Sequence, residues 1–183
     1  MNAYAGIGGL STPVDIQHIM TRIAERLGYR GHTLPSGGAS GADNAFEQGA
    51  IQSSGKMEIF LPYPGFEGRN PDQRRYFLID KGNEIFMPAL DLAFHYHPLG
   101  ERMPLNVTPY MVRNCFQVLG VDLKSPVDRV ICWTRDGAIS AEETSPYTGG
   151  TGQAIRIAHD QGITISNLQR PDHLEKWLAW LSP

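Results

Sequence analysis

The residues with the most chemical potential lie in Ser36-Gly37-Gly38-Ala39-Ser40-Gly41-Ala42-Asp43-Asn44-Ala45-Phe46-Glu47, between a short apolar run and an alternating helical pattern. A loop that joins a strand to a helix N-terminus suits an anion. Its backbone N–H groups point at the charge, and the helix dipole favours a negative one. Glycine lets a ligand approach the main chain, where a β-carbon would stand in the way. In this reading Ser36, Gly37, Gly38, Ser40 and Gly41 surround a phosphate or ribose, and Asp43 orients the loop or meets a ribose hydroxyl. Asp43 could equally do no more than cap its helix, worth about 1 kcal/mol.

Two further runs share this chemistry, Gly6-Ile7-Gly8-Gly9 and Gly149-Gly150-Thr151-Gly152. Thr151 stands near a helix start, where its hydroxyl caps the helix or binds phosphate. Thr134, at the end of a β-branched run, is a further ligand-binding candidate. Arg113 and Asn114 lie off the apolar stripe of their helix. They form either a solvated face or a phosphate contact, since a guanidinium suits bidentate recognition. Arg69, Arg74 and Arg75 extend a phosphate-binding rim or are simply solvated. The candidate catalytic carboxylates are Asp43 and Glu143, with Glu47 beside them. His95-x-His97 has no third ligand at a usual spacing, so no metal and no resident cofactor are expected.

The elements that must position these residues follow from periodicity. Tyr4–Ile7, His32–Pro35, Lys56–Pro62, Val127–Thr134 and Ile163–Ser166 read as five short strands. A first helix carries Ile16, Ile19, Met20, Ile23, Ala24 and Leu27 on one stripe, with a Thr12/Asp15 capping box, Pro13 at its first position and Gly28 as its stop. A second starts at a Ser40/Asp43 box and buries Ala42, Ala45, Phe46 and Ala50. Later helices start at Thr108-Pro109, after Gly149–Gly152, and at an Asp172/Glu175 box. Between Asp72 and Phe94 one or two helices interrupted by Pro88 are expected, and 63–109 reads as an insertion covering one side. The sum is an α/β fold, a Rossmann-like doubly wound parallel sheet of about five strands with helices on both faces, in one domain over 1–183. In such sheets ligands bind beyond the C-terminal strand ends, so the three glycine loops should converge on one site.

With 41% hydrophobic and 19% charged residues the composition is that of a globular domain, and the formal net charge of −3 disfavours wholesale nucleic-acid binding. Cys115 and Cys132, both in apolar elements, read as reduced buried thiols in the cytoplasm. Residues 1–6 lack the basic start and apolar run of a secretory signal, and no apolar stretch approaches a membrane span.

Gly6-Ile7-Gly8-Gly9 before Thr12-Pro13, then Ser36–Asp43, Arg113-Asn114 and Gly149–Gly152, together resemble the SLOG superfamily, from Ala3 to about Leu168. That group includes Smf (DprA-like) DNA-processing proteins and the "lonely guy" phosphoribohydrolases. The Ser-Gly-x-Ala-x-Gly-x-Asp pattern is most similar to the Smf branch, and the compact form to stand-alone phage and bacterial members. The resemblance implies a phosphate-containing ligand, usually a nucleotide or nucleic acid, and domains that often pair as homodimers or larger homo-oligomers. In the phosphoribohydrolases a Pro-Gly-Gly-x-Gly-Thr-x-x-Glu motif carries the catalytic glutamate. Here Gln153 stands at the threonine position and Arg156 at that of the glutamate.

Three functions follow from this reading. The first is a sensor or sequestering protein for a nucleotide-derived ligand, such as a cyclic or ADP-ribose-like one. The second is a nucleoside 5′-monophosphate N-glycosidase, in which Asp43, Glu47 or Glu143 would stabilise an oxocarbenium-like transition state. The third is a single-stranded DNA-binding protein of Smf type, which needs a cationic groove.

Overall fold

Alternation along the strands explains the layering of the computed structural model, which describes residues 2–72 and 74–182. The strands are β1 (Tyr4–Gly6), β2 (Leu34–Ser36), β3 (Met57–Leu61), β4 (Tyr76–Leu78), β5 (Arg129–Cys132) and β6 (Thr164–Asn167). Successive side chains of a strand point to opposite faces. Ala5, Phe60, Val130 and Cys132 accordingly enter one apolar core, and Tyr4, Ile59, Leu61 and Ile131 the other. Helices α1 (Val14–Tyr29), α2 (Ala42–Gln52) and α6 (Pro171–Leu181) cover the second core, and α3 (Phe86–Tyr96), α4 (Thr108–Leu119) and α5 (Thr151–Asp160) cover the first. None of the described helices is long and apolar enough to cross a membrane.

All pairings are parallel, in two three-stranded sheets ordered β1-β5-β6 and β2-β3-β4. An isolated parallel bridge from Ala3 to Thr33 joins them edge to edge. There the Tyr4 N–H donates to the Thr33 carbonyl at 3.1 Å and the Thr33 N–H to that of Asn2 at 2.9 Å. The strands therefore run β4-β3-β2-β1-β5-β6. The chain steps outward from β1 to β4, then returns to the other side of β1 to form β5. The β1/β5 boundary is thus the switch point, beyond whose C-terminal ends a ligand site is expected.

The α/β, doubly wound expectation agrees with this architecture, and the structure corrects several details. Tyr76–Leu78 is a strand where a helix was expected, because the Asp72 carboxylate accepts from the N–H groups of Arg74 (2.9 Å), Arg75 (2.8 Å) and Tyr76 (2.9 Å) and turns the chain into line with β3. Those three N–H bonds, Tyr76 foremost, bring Asp72 down to about 2. Pro88 does not interrupt a helix: it lies in the first turn of α3, where a missing N–H costs nothing. No side chain caps α1, α2 or α6. The Thr12 hydroxyl donates to the Gly9 carbonyl at 2.7 Å instead, and α1 runs one residue past Gly28. Both cysteines are free and buried, and burial pushes the Cys115 thiol up to about 12.

The tightest helix contact is between α1 and α2 at Gly49. A β-carbon there would overlap the Thr21 carbonyl oxygen and lie 2.7 Å from Ala24 Cβ. Gly49→Ala should therefore destabilise the fold by about 1–3 kcal/mol through overpacking, despite alanine's better helix propensity of about 1 kcal/mol. Urea unfolding measures this; an unchanged or raised midpoint would contradict so close a crossing.

Candidate functional site

Beyond the C-terminal ends of β1 and β5 the loops and helices enclose a cleft of about 450 Å³. Its floor is a buried polar chain that α4 threads beneath the glycine loops. Asp43, in the first turn of α2, accepts from the Ala39 N–H at 3.4 Å and from Arg113 Nη1 at 3.3 Å. Gln117 lies one helical turn after Arg113, so their side chains share a face. Its amide oxygen accepts from the Gly37 N–H at 2.6 Å and from Arg113 Nη1, and its amide nitrogen donates to Asn114 Oδ1 at 3.2 Å. Asn114 Nδ2 in turn reaches the Gly150 carbonyl at 3.3 Å and Gln153 Oε1 at 3.4 Å. One line of hydrogen bonds thus connects the loop after β2 to the start of α5.

Electrostatics at the floor are finely opposed. Burial pushes the Asp43 carboxyl above the usual carboxylate range, against the Arg113 charge and the Ala39 and Gly8 N–H groups. Burial likewise draws the Arg113 guanidinium down, against the Asp43 charge that holds it up. Arg113 is only 6% exposed, yet its buried Nε has no hydrogen-bond partner among the described residues. The adjoining end of α5 has Gly150 at the N-cap and no capping side chain, and its Gly152 and Gln153 N–H groups donate to the Gly149 (3.1 Å) and Gly150 (3.4 Å) carbonyls. A buried cation lining a cleft beside a helix N-terminus is an arrangement that suits an anion.

The wall opposite is aromatic. Tyr63, Phe66 and Tyr110 meet edge to face, with ring centroids 5.3, 5.9 and 6.3 Å apart. The Tyr63 and Tyr110 hydroxyls lie 3.4 Å from one another, and that contact heads the causes raising the Tyr110 phenol. The segment bearing Tyr63 and Phe66 is anchored below by Glu47. Its buried carboxylate takes Arg69 Nε at 3.0 and 2.9 Å and the Tyr76 hydroxyl at 2.7 Å. A Ser40 hydroxyl bond to Glu67 at 2.8 Å ties the tip of the segment to the loop after β2.

Of the expected ligand-binding residues, Gly8, Gly9, Asp43, Arg113, Asn114, Gly150 and Thr151 line this cleft. The others lie behind or beside it. Ser36 is fully buried and donates to the Gly6 carbonyl at 2.6 Å, while Gly6 itself packs on the Phe46 ring. Gly37 leaves room for a side chain and not for a ligand: a β-carbon there would overlap the Arg113 guanidinium. Gly38 abuts Ile59 and Arg69, and a β-carbon on Gly41, at φ 80°, would lie 2.9 Å from the Gly9 carbonyl oxygen. Thr134 accepts from Asn167 Nδ2 at 2.7 Å, a bond that joins the ends of β5 and β6. Gly149 and Gly152 flank the α5 start outside the lining.

Neither Glu47 nor Glu143 lines the cleft. Glu143 accepts from the Ile139 N–H at 2.9 Å and pairs with Arg170 at 3.3 Å on the surface. Arg156 points to α3, where its Nε donates to the Tyr96 carbonyl at 2.6 Å. Arg113 and Asn114 are not on a solvated face: both are buried, as are all residues of α4 from Met111 to Leu119. Among the described residues, no group of three or more His, Cys, Asp or Glu is placed to hold a metal ion. Sequence reading missed Tyr63, Phe66, Tyr110 and Gln117. The available signals were an aromatic–Pro–Gly–aromatic run directly after a strand, and a glutamine four residues beyond an arginine on one helix.

No family model matches the chain, and no curated protein matches it significantly. Similar solved structures are two of the molybdenum cofactor (Moco) carrier protein of Chlamydomonas reinhardtii. One has a TM-score of 0.48 at 15% identity, over 99% of this chain and 84% of that one. The second has a TM-score of 0.41 at 13% identity, over 97% and 98%.

Removing one partner of a buried ion pair costs about 3–5 kcal/mol, because the other is left uncompensated. Arg113→Met should therefore be strongly destabilised. The loss should grow with pH. Burial raises the folded Asp43 value above the unfolded one, so without the arginine, stability is fullest in acid and falls as pH rises through the folded value. Denaturation at pH 5 and pH 8 checks the sign; an equal loss at both would mean that Asp43 stays ionised through another partner.

Proposed function

We propose that residues 1–183 form a single SLOG-type domain that binds a nucleotide or nucleotide-derived small molecule and holds it intact, as a cytosolic sensor or sequestering protein. The observation that carries the reading is Arg113, a buried guanidinium whose Nε has no partner among the described residues, beside the start of α5. A phosphate group suits both at once, through charge-assisted bonds to the guanidinium and attraction to the positive end of α5. The aromatic wall of Tyr63, Phe66 and Tyr110 suits a base, since stacking on such side chains is worth about 1–3 kcal/mol. In this reading the 63–109 segment serves the site by supplying part of that wall.

The carboxylates favour holding over cleavage. Those that line the cleft are Asp43 and Glu67. Asp43 is committed to Arg113, and Glu67 accepts the Ser40 hydroxyl. Neither is left as a free, water-shielded carboxylate opposite the phosphate receptor, which glycosidic cleavage would use.

Titrating the purified protein with AMP, ADP-ribose and cyclic nucleotides tests the proposal. At least one should bind with unit stoichiometry and be recovered unaltered. Tyr110→Ala should weaken that ligand about tenfold, near 1.4 kcal/mol, with little change in melting temperature. Release of free base would replace holding by hydrolysis, and no binding by any of them would remove the nucleotide assignment.

A further inference from the structure

A second recess, of about 340 Å³, lies at the opposite end of the strands. Arg129 opens β5 at this end, whereas the cleft lies where β1 and β5 finish. Leu27 and Arg30 at the end of α1, His32 just before β2, and Lys176, Trp177 and Trp180 of α6 complete its walls. The volume falls in the range that small-molecule ligands fill, roughly 300–1,000 Å³.

Its charge is one-sided. Arg30, Arg129 and Lys176 face the recess and, among the described residues, no carboxylate lines it, although the whole chain carries a net charge of −3. Some positive charge is expected here, because α1 and α6 both end at this side and helix C-termini attract cations. Arg26 fills that role: its Nη1 donates to the carbonyls of Trp180 and, at 3.2 Å, Ser182. The three lining cations are not spent in this way. None forms an ion pair or a side-chain hydrogen bond with any described residue. Arg30 only lies over the Trp180 ring, 4.9 Å from its centroid. Three like charges around one concavity focus a positive potential within it, which an entering anion would relieve.

We propose that this recess is a second ligand site, which takes the phosphate groups of a small polyphosphorylated molecule of the nucleoside diphosphate or triphosphate class. Arg30, Arg129 and Lys176 hold successive phosphates. The His32 ring and the Ser166 hydroxyl, which also line the recess, add polar contacts, and the indoles of Trp177 and Trp180 form the apolar side against which a nucleoside lies. An acidic chain that gathers three cations here suits a few phosphates better than the long backbone of a nucleic acid strand. The proposal does not depend on what occupies the cleft.

Calorimetry and tryptophan fluorescence with inorganic diphosphate, ADP, ATP and adenosine test it, since two of the three tryptophans line the recess. Diphosphate, ADP and ATP should bind and change the emission, while adenosine should not. The double variant Arg30→Glu/Lys176→Glu, at two exposed positions, should raise the dissociation constants at least tenfold with an unchanged circular dichroism spectrum. Tyr110→Ala, in the cleft, should leave this binding as it was. Equal affinity in the double variant, binding lost only in Tyr110→Ala, or no binding of diphosphate and ADP overturns the site. Tighter binding of a short 5′-phosphorylated oligonucleotide than of ATP at the same salt also overturns it, in favour of a nucleic-acid surface.

Discussion

The ion pair of Asp43 and Arg113 is the constraint on which the rest of the site depends. Two charges have been taken from water into the interior, and each is tolerable only because the other is there. Arg113 reaches Asp43 only by passing under the loop after β2, at the point where a β-carbon on residue 37 would stand. The pair therefore requires glycine at 37, fixes the start of α2 against α4, and leaves Gln117 to meet the Gly37 N–H. Asn114 then carries the chain on to Gly150 and the start of α5. The loop after β2 and the start of α5 are thus held in register along one helix, α4. Such pairs are often no more stabilising than an apolar replacement of the same shape. The position of this one at a cleft points to organisation of the site more than to stability.

The order of elements was largely legible in the sequence, because helical stripes such as Ile16, Met20, Ile23 and Leu27 are buried as their spacing demands. β4 was not. It has three residues and lies between Arg74-Arg75 and Asp80-Lys81, so no period of two has room to show. The capping boxes also misled, for a tertiary reason. Ser40 reaches Glu67 across the cleft mouth, and the Thr12 hydroxyl closes its own loop on Gly9. Local rules name the residues that can cap, while the fold decides what they bond. Glycine brought similar ambiguity. The loops were found by their glycines, but Gly6, Gly8 and Gly37 are needed to let Phe46, Ala42 and Arg113 approach. The aromatic side chains on the wall, Tyr63 and Tyr110, are distant in sequence and meet only through the tertiary fold.

The two ends of the sheet present different electrostatics, and the difference follows from topology. Where strands run parallel and helices return, helix N-termini gather at one end and C-termini at the other. The cleft lies at the N-terminal helix ends and places a single guanidinium out of water, where the effective dielectric is low and one charge acts strongly over short range. Its selectivity must then come from shape and from the few donors fixed by the Asp43 pair. The recess by Trp180 instead sets three exposed cations against the negative helix ends, in contact with solvent. At physiological ionic strength such charges are screened beyond about 8 Å, so attraction there must depend on salt and on the number of charges a ligand carries. Under the two proposals, one end of the sheet discriminates between anions and the other counts their charge.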